Sequence, residues 1–209
     1  MTINPVTIDL PAEFKKYFPT SFSLETPRVL LRLMNENDYD DFLPITKNPD
    51  IWKYFTKDLS FEDELKQWVE EAIQDTSIGK RAAFTIFDKD TKTVCGSTSY
   101  GNISFFDKRI EIGWTWLGTT YIGTGINHHA KFALLSFAFE ALKMERVEVK
   151  TDNLNQRAKT ALIKIGMKPE GILRSHMQMH SNRRRDSIYY SIIKEEWEPV
   201  KALFFADMI

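Results

Sequence analysis

The stretch WLGTTYIGTGINHHAKFALLSFAFEAL, from Trp116 to Leu142, constrains the fold more than any other. An aromatic-rich run ends in two glycines one residue apart, Gly123 and Gly125, and a long apolar-striped segment begins directly after them. Ile126, Ala130, Ala133, Leu134, Phe137, Ala138 and Ala141 fall on one side of a helical period. The chain must therefore pass from strand to helix through a backbone that glycine frees of Cβ crowding. A junction of this kind offers unpaired N–H groups at a helix N-terminus, an arrangement suited to a phosphate. Two narrower nucleotide motifs fail. A P-loop needs Lys and Ser or Thr after its last glycine, where Ile126 and Asn127 stand, and a dinucleotide fingerprint needs a third glycine at His128. A turn that binds nothing satisfies the same spacing.

The surrounding pattern is that of one domain. "RVLLRLM" (28–34) reads as a strand, and Asn37 or Asp38 can cap a helix limited by Pro44. Ser60 with Asp63 resembles a capping box ahead of a helix whose apolar face is Leu65, Trp68, Val69 and Ile73. From Arg81 the period changes to two: strands are expected over 81–88, 94–107 and 109–117. In the last of these Ile110, Ile112, Trp114 and Trp116 would share one face, and Glu111, Gly113 and Thr115 the other. A strand over 146–152, a helix over 155–166 closed by Gly166, a strand over 186–193 and a terminal helix in "EEWEPVKALFFADM" complete the order. Pro11, Pro19 and Pro27 with weak periodicity suggest an irregularly packed N-terminal arm, residues 1–23, before a single domain over 24–209. The class is α+β with a mixed sheet.

A net charge of −1 over 209 residues gives no global field for nucleic acid or an anionic membrane. No apolar run reaches membrane-spanning length, and "MTINPVTIDLPAEF" lacks a secretory signal. The single cysteine, Cys95, suits a reducing cytoplasm and reads as core. His176 and His180 lack a Cys or third His nearby, so no metal is expected. "RRR" at 183–185 reads as a solvated turn.

Thr120-Tyr121-Ile122-Gly123-Thr124-Gly125 resembles the Gln/Arg-x-x-Gly-x-Gly/Ala loop of the GNAT superfamily of acyl-CoA-dependent N-acetyltransferases, with Thr120 in place of Gln or Arg. "ETPRVLLRLMNENDYDDFL", "IEIGWTWLGTTYIGTGIN", "VEVKTDNLNQRAKTALIKIGMKPEGILR" and "RRRDSIYYSIIKEEWEPVK" resemble, in order, segments of its RimJ/RimL-like branch, which acetylates N-terminal amines of ribosomal proteins. The resemblance implies the GNAT fold: a mixed, mostly antiparallel sheet with splayed central parallel strands flanked by helices. It implies acetyl-CoA as co-substrate and a primary amine, in that branch a protein N-terminus, as acceptor. An amino acid, polyamine or aminoglycoside acceptor, or a non-catalytic acyl-CoA-binding module, is the alternative.

By the same resemblance, strands 109–117 and 146–152 are the splayed pair, and Trp116 and Leu117 line the cofactor through their main chain. Gly123, Thr124, Gly125, Ile126 and Asn127 cradle the pyrophosphate, and Asn155 bonds the pantetheine. Glu111 is the leading proton acceptor, with His176 and Asp186 as alternatives; pairing with Arg109 or another arginine is its structural reading. The serine that would protonate the leaving thiolate is replaced by Ala158, so Tyr189 or Tyr190 is the candidate acid. A homodimer through strand 186–193 or the terminal helix, with exposed Phe204 and Phe205 at the contact, is a further expectation.

Overall fold

The period-two runs fold into one sheet. Its strands are β1 (Ser23–Glu25), β2 (Val29–Leu33), β3 (Arg81–Asp88), β4 (Thr93–Ser104), β5 (Arg109–Leu117), β6 (Arg146–Asp152), β7 (Lys168–Gln178) and β8 (Arg184–Ile193). They lie in the order β1-β2-β3-β4-β5-β6-β8-β7 in the computed structural model, which describes residues 10–208. All neighbours are antiparallel except β5 and β6, which are parallel and joined by the crossover through α4 (Ile126–Ser136).

Each face of the sheet carries its own core. On one, Ile126, Ala130 and Leu134 of α4 pack on Ile110, Ile112, Val147 and Tyr190. α1 (Leu10–Tyr17), α5 (Gln156–Ile163) and α6 (Lys194–Phe204) add Phe14, Leu162 and Trp197 to the same cluster. On the other, α2 (Asp38–Thr46) and α3 (Glu62–Ser77) pack Phe42, Leu65, Trp68 and Val69 against Ala83 and Trp116. Burying residues of this size contributes about 1.5–3 kcal/mol each, so both helical layers are held by their aromatic and branched stripes.

Several expectations change. Within the supposed irregular arm, residues 10–17 form α1, and Phe14 and Phe18 are buried; residues 1–9 lie outside the described part. Ser60 does not cap α3: the helix starts at Glu62, and the Ser60 hydroxyl donates to Asp58. The 183–185 run is no solvated turn, because Arg183 pairs with buried Asp152 and Arg185 lies buried at the start of β8. β8 is bonded on both sides, to β6 and to β7, so it offers no free edge to a second copy. Phe205 is fully buried against His128, Phe132 and Trp197, which removes it from any contact surface. No helix among the described residues is long and apolar enough to cross a membrane.

The largest change falls in β5. Gly113 faces Ser99 and Trp116 faces Ser97, so β5 carries one residue more than β4 across this step, a β-bulge. Trp114 takes a left-handed φ of 51° there, a costly conformation for an aromatic residue. The bulge breaks the alternation: Ile110 and Ile112 face α4, whereas Trp116 turns to the α2–α3 side and packs edge-on with Phe42, Trp52 and Trp68.

Candidate active site

β5 and β6 pair only over Arg109–Arg146, Ile110–Val147 and Glu111–Glu148. Beyond that point β5 stays bonded to β4 as far as Leu117, and β6 stays bonded to β8 as far as Asp152. The two strands part, and the bulge at Trp114 lies on the open side of the fork. Past Glu111 β5 has no ladder partner on its β6 side, along the stretch that ends in Trp116 and Leu117, the residues expected to line a pantetheine arm.

At the end of β5 the chain turns through a short 3-10 segment, Thr119–Tyr121, into the glycine loop. Gly123 and Gly125 have φ of 82° and 90°, and a Cβ at either would meet nothing within 4 Å. These glycines serve the backbone path and leave open space in front of α4. The first backbone bond of the helix is His129 N–H to Gly125 O, which leaves the amides of Ile126, Asn127 and His128 without a carbonyl one turn back. A cradle of this form fits a pyrophosphate, which the helix dipole also favours. Asn155 caps α5 by accepting from Ala158 N–H at 3.0 Å, which leaves its amide nitrogen as a donor.

On the α2–α3 side, Glu111 is buried, with 2% of its surface exposed. It is not paired with an arginine. Lys150 of β6 reaches both carboxylate oxygens, at 2.6 and 2.5 Å, and Asn102 donates to Oε2 at 2.6 Å. Gly113 leaves room beside the carboxylate, since a Cβ there would stand 3.1 Å from Oε1. Lys150 also lies over the Tyr189 ring, whose centroid is 6.0 Å from that of His176. Burial lowers the His176 pKa, and Lys150 and Arg185 push it the same way against the opposing pull of the nearby Glu111 carboxylate; the net shift favours the neutral ring. Its Nδ1 is buried with no hydrogen-bond partner among the described residues.

Glu111, Lys150, Tyr189 and His176 thus come together. Tyr190 does not join them: it points into the core under α4, where burial raises its pKa. Asp186 is exposed and accepts from Ser175 N–H at 2.7 Å, on the face opposite Arg185 and Ser187. Among the described residues no group of three or more His, Cys, Asp or Glu is placed to hold a metal ion.

Lys131 on α4 escaped the sequence reading. It is 4% exposed, belongs to no ion pair among the described residues, and donates to Thr115 Oγ1 of the bulge at 2.9 Å. Desolvation lowers its pKa to about 7. Because the folded value lies below the ordinary 10.5, the unfolded chain holds the extra proton between these limits, and stability rises with pH across that window. Lys131→Met should abolish a rise of about 1.4 kcal/mol per pH unit. Urea unfolding of both proteins at pH 7 and pH 9 measures it; parallel pH dependences would show that the amine is charged in the fold.

Comparison with known proteins agrees with this geometry. A family model described as an acetyltransferase (GNAT) domain matches residues 28–168. The uncharacterized N-acetyltransferase p20 of Bacillus licheniformis is 27% identical over 176 residues, 84% of this chain and 98% of its own. YdaF of Bacillus subtilis, named as a candidate ribosomal N-acetyltransferase, is 31% identical over 109 residues, 52% of this chain and 58% of its own. A structure described as a candidate acetyltransferase, from T. thermophilus, matches with a TM-score of 0.81 at 29% identity, over 90% of this chain and 97% of its own. That of ribosomal-protein-S5-alanine acetyltransferase from Vibrio fischeri matches with a TM-score of 0.68 at 20% identity, over 84% and 98%. The forked strands, the glycine-led helix and the family match over most of the chain together make this protein a member of the GNAT family, an N-acetyltransferase that takes its acetyl group from acetyl-CoA and gives it to an amine.

Proposed function

We propose that the acceptor is the α-amine of a polypeptide N-terminus and that Glu111 receives its proton. The observation that carries the reading is the parting of β5 from β6 directly after Glu111, which sets a buried carboxylate beside the gap where the thioester would lie. The relatives support the acceptor class: YdaF is named for ribosomal N-acetylation.

Acetyl-CoA supplies a thioester, whose C–S bond breaks as the acceptor nitrogen forms the new C–N bond. The chain's own residues do the rest. Amides of Gly123 to Asn127 hold the pyrophosphate, and Asn155 donates to the pantetheine. Main-chain groups of Trp116 and Leu117 fix the thioester carbonyl, which raises the effective concentration of the reacting groups. Glu111 takes the ammonium proton while Lys150 and Asn102 fix its orientation. Tyr189, whose ring lies under the Lys150 ammonium, takes the acid role proposed for a tyrosine.

Incubation with acetyl-CoA and a panel of free-N-terminus peptides, N-blocked lysine peptides, polyamines and an aminoglycoside tests this, with mass spectrometry locating the acetyl group. Labelling of peptide α-amines is the expected result. Labelling of polyamines or the aminoglycoside alone would replace the reading by small-amine acetylation.

A further inference from the structure

Arg81, the first residue of β3, is 3% exposed, and its guanidinium lies between two indoles, 5.8 Å from the Trp68 centroid and 5.1 Å from that of Trp114. Its Nε is buried with no hydrogen-bond partner among the described residues. Asp75 is 3.4 Å away, out of line for a hydrogen bond, and already receives Lys80 at 2.9 Å. A desolvated guanidinium whose Nε lacks an acceptor is costly, and a carboxylate placed beside it would relieve that cost.

The guanidinium lines a cavity of about 250 Å³, which Asn102 and Trp114 border on the β5 side. Lys57, Lys80 and Arg81 face Glu71 and Asp75 around it, an excess of one cation. The cavity adjoins the reaction site. Arg81 pairs with Gly101, and Gly101 with Glu111, so all three stand in one cross-strand row on one face of the sheet. The backbones of Arg81 and Glu111 are thus about 10 Å apart. Gly101 has no side chain to separate them; the Trp114 ring occupies that place, as a Cβ on Gly101 would lie 2.4 Å from it. Ser99 Oγ, Trp116 Nε1 and His176 Nδ1, on the same face, are likewise buried without partners.

We infer that Arg81 binds a carboxylate of the acceptor, so that the enzyme selects amines carrying a carboxylate close to the reacting nitrogen. This rests on the acetyl-transfer reading of the site. The carboxylate has two sources, the α-carboxylate of a free amino acid or an acidic side chain early in a polypeptide, and the test separates them.

N-acetylated products need no turnover to bind, so calorimetric titration of the full chain in the presence of CoA reports the site directly. One pair compares an N-acetyl amino acid with its amide. The other compares N-acetyl peptides, amidated at the C-terminus, with Glu or Gln at the second position. The carboxylate member of one pair should bind roughly tenfold tighter than its neutral twin. Arg81→Gln should erase that preference without weakening the neutral twin, and Arg81→Lys, which keeps the charge, should retain part of it. Equal affinities within both pairs in the wild type overturn the inference, as does a preference that survives Arg81→Gln. Should Arg81→Gln fail to fold, an undiminished preference in Arg81→Lys has the same force. A preference in binding with no acetyl transfer to any matching free amine would leave the Arg81 site standing and overturn the proposed function.

Discussion

Gly125→Glu is expected to weaken acetyl-CoA binding by about 100-fold, a loss of about 2.7 kcal/mol, while the protein remains folded. A Cβ at this position meets nothing within 4 Å, so packing does not oppose it. The left-handed φ of 90° adds strain of about 1–2 kcal/mol, a few degrees in melting temperature for a chain of this size. The carboxylate then occupies the space in front of α4 where phosphate oxygens would accept from the amides of Ile126 and Asn127. Two like charges cannot share that cradle. Gly125→Ala carries the strain without the charge and should lose tenfold or less. Calorimetric titration of the three proteins with acetyl-CoA reads the difference. Equal affinity for the wild type and Gly125→Glu would mean that the helix N-terminus does not seat the pyrophosphate.

The second large effect concerns the buried pair of Glu111 and Lys150, whose side chains are 3% and 14% exposed. Breaking such a pair from one side strands the other charge and costs about 3 kcal/mol or more. Glu111→Gln should therefore lose both turnover and stability, which alone would not distinguish a proton acceptor from a structural anchor. The double substitution Glu111→Gln with Lys150→Met removes both charges and should recover most of the stability. Turnover should stay at least 100-fold below wild type if Glu111 takes the proton. Lys150→Met alone keeps the carboxylate but removes the ammonium that orients it, and should lower turnover less than Glu111→Gln does. Turnover in the stable double variant close to the wild-type value would assign Glu111 a purely structural role and pass the proton to His176.

The elements readable in the sequence are those whose burial is one-sided and regular. α3 shows its Leu65, Trp68 and Val69 stripe, and β6 alternates Val147 and Val149 with Glu148 and Lys150, as folded. β7 was invisible because nearly all of its residues are exposed; "KPEGILRSHMQ" becomes a strand through its ladder to β8, not through an apolar pattern of its own. The bulge was hidden for a different reason. Alternation assumes one residue per step, and nothing in "EIGWTWL" announces that Trp114 will take a positive φ. The glycine turn ahead of α4 and the face of β5 that Glu111 takes follow from local spacing and strand parity. Arg81, Lys131 and the Lys150 contact depend on which strands become neighbours, and no local signal carries that.

The fork between β5 and β6 makes the sheet a partition with a single slot. α4 and its glycine loop stand at one side, Arg81, Glu111 and His176 at the other. In the proposed reaction only the amine and the groups next to it have to reach the slot, and the bulk behind them remains outside. The bulk of an acceptor is then no barrier to its use: a whole folded polypeptide serves as well as a free amino acid, provided its first residues hang loose enough to thread the entrance.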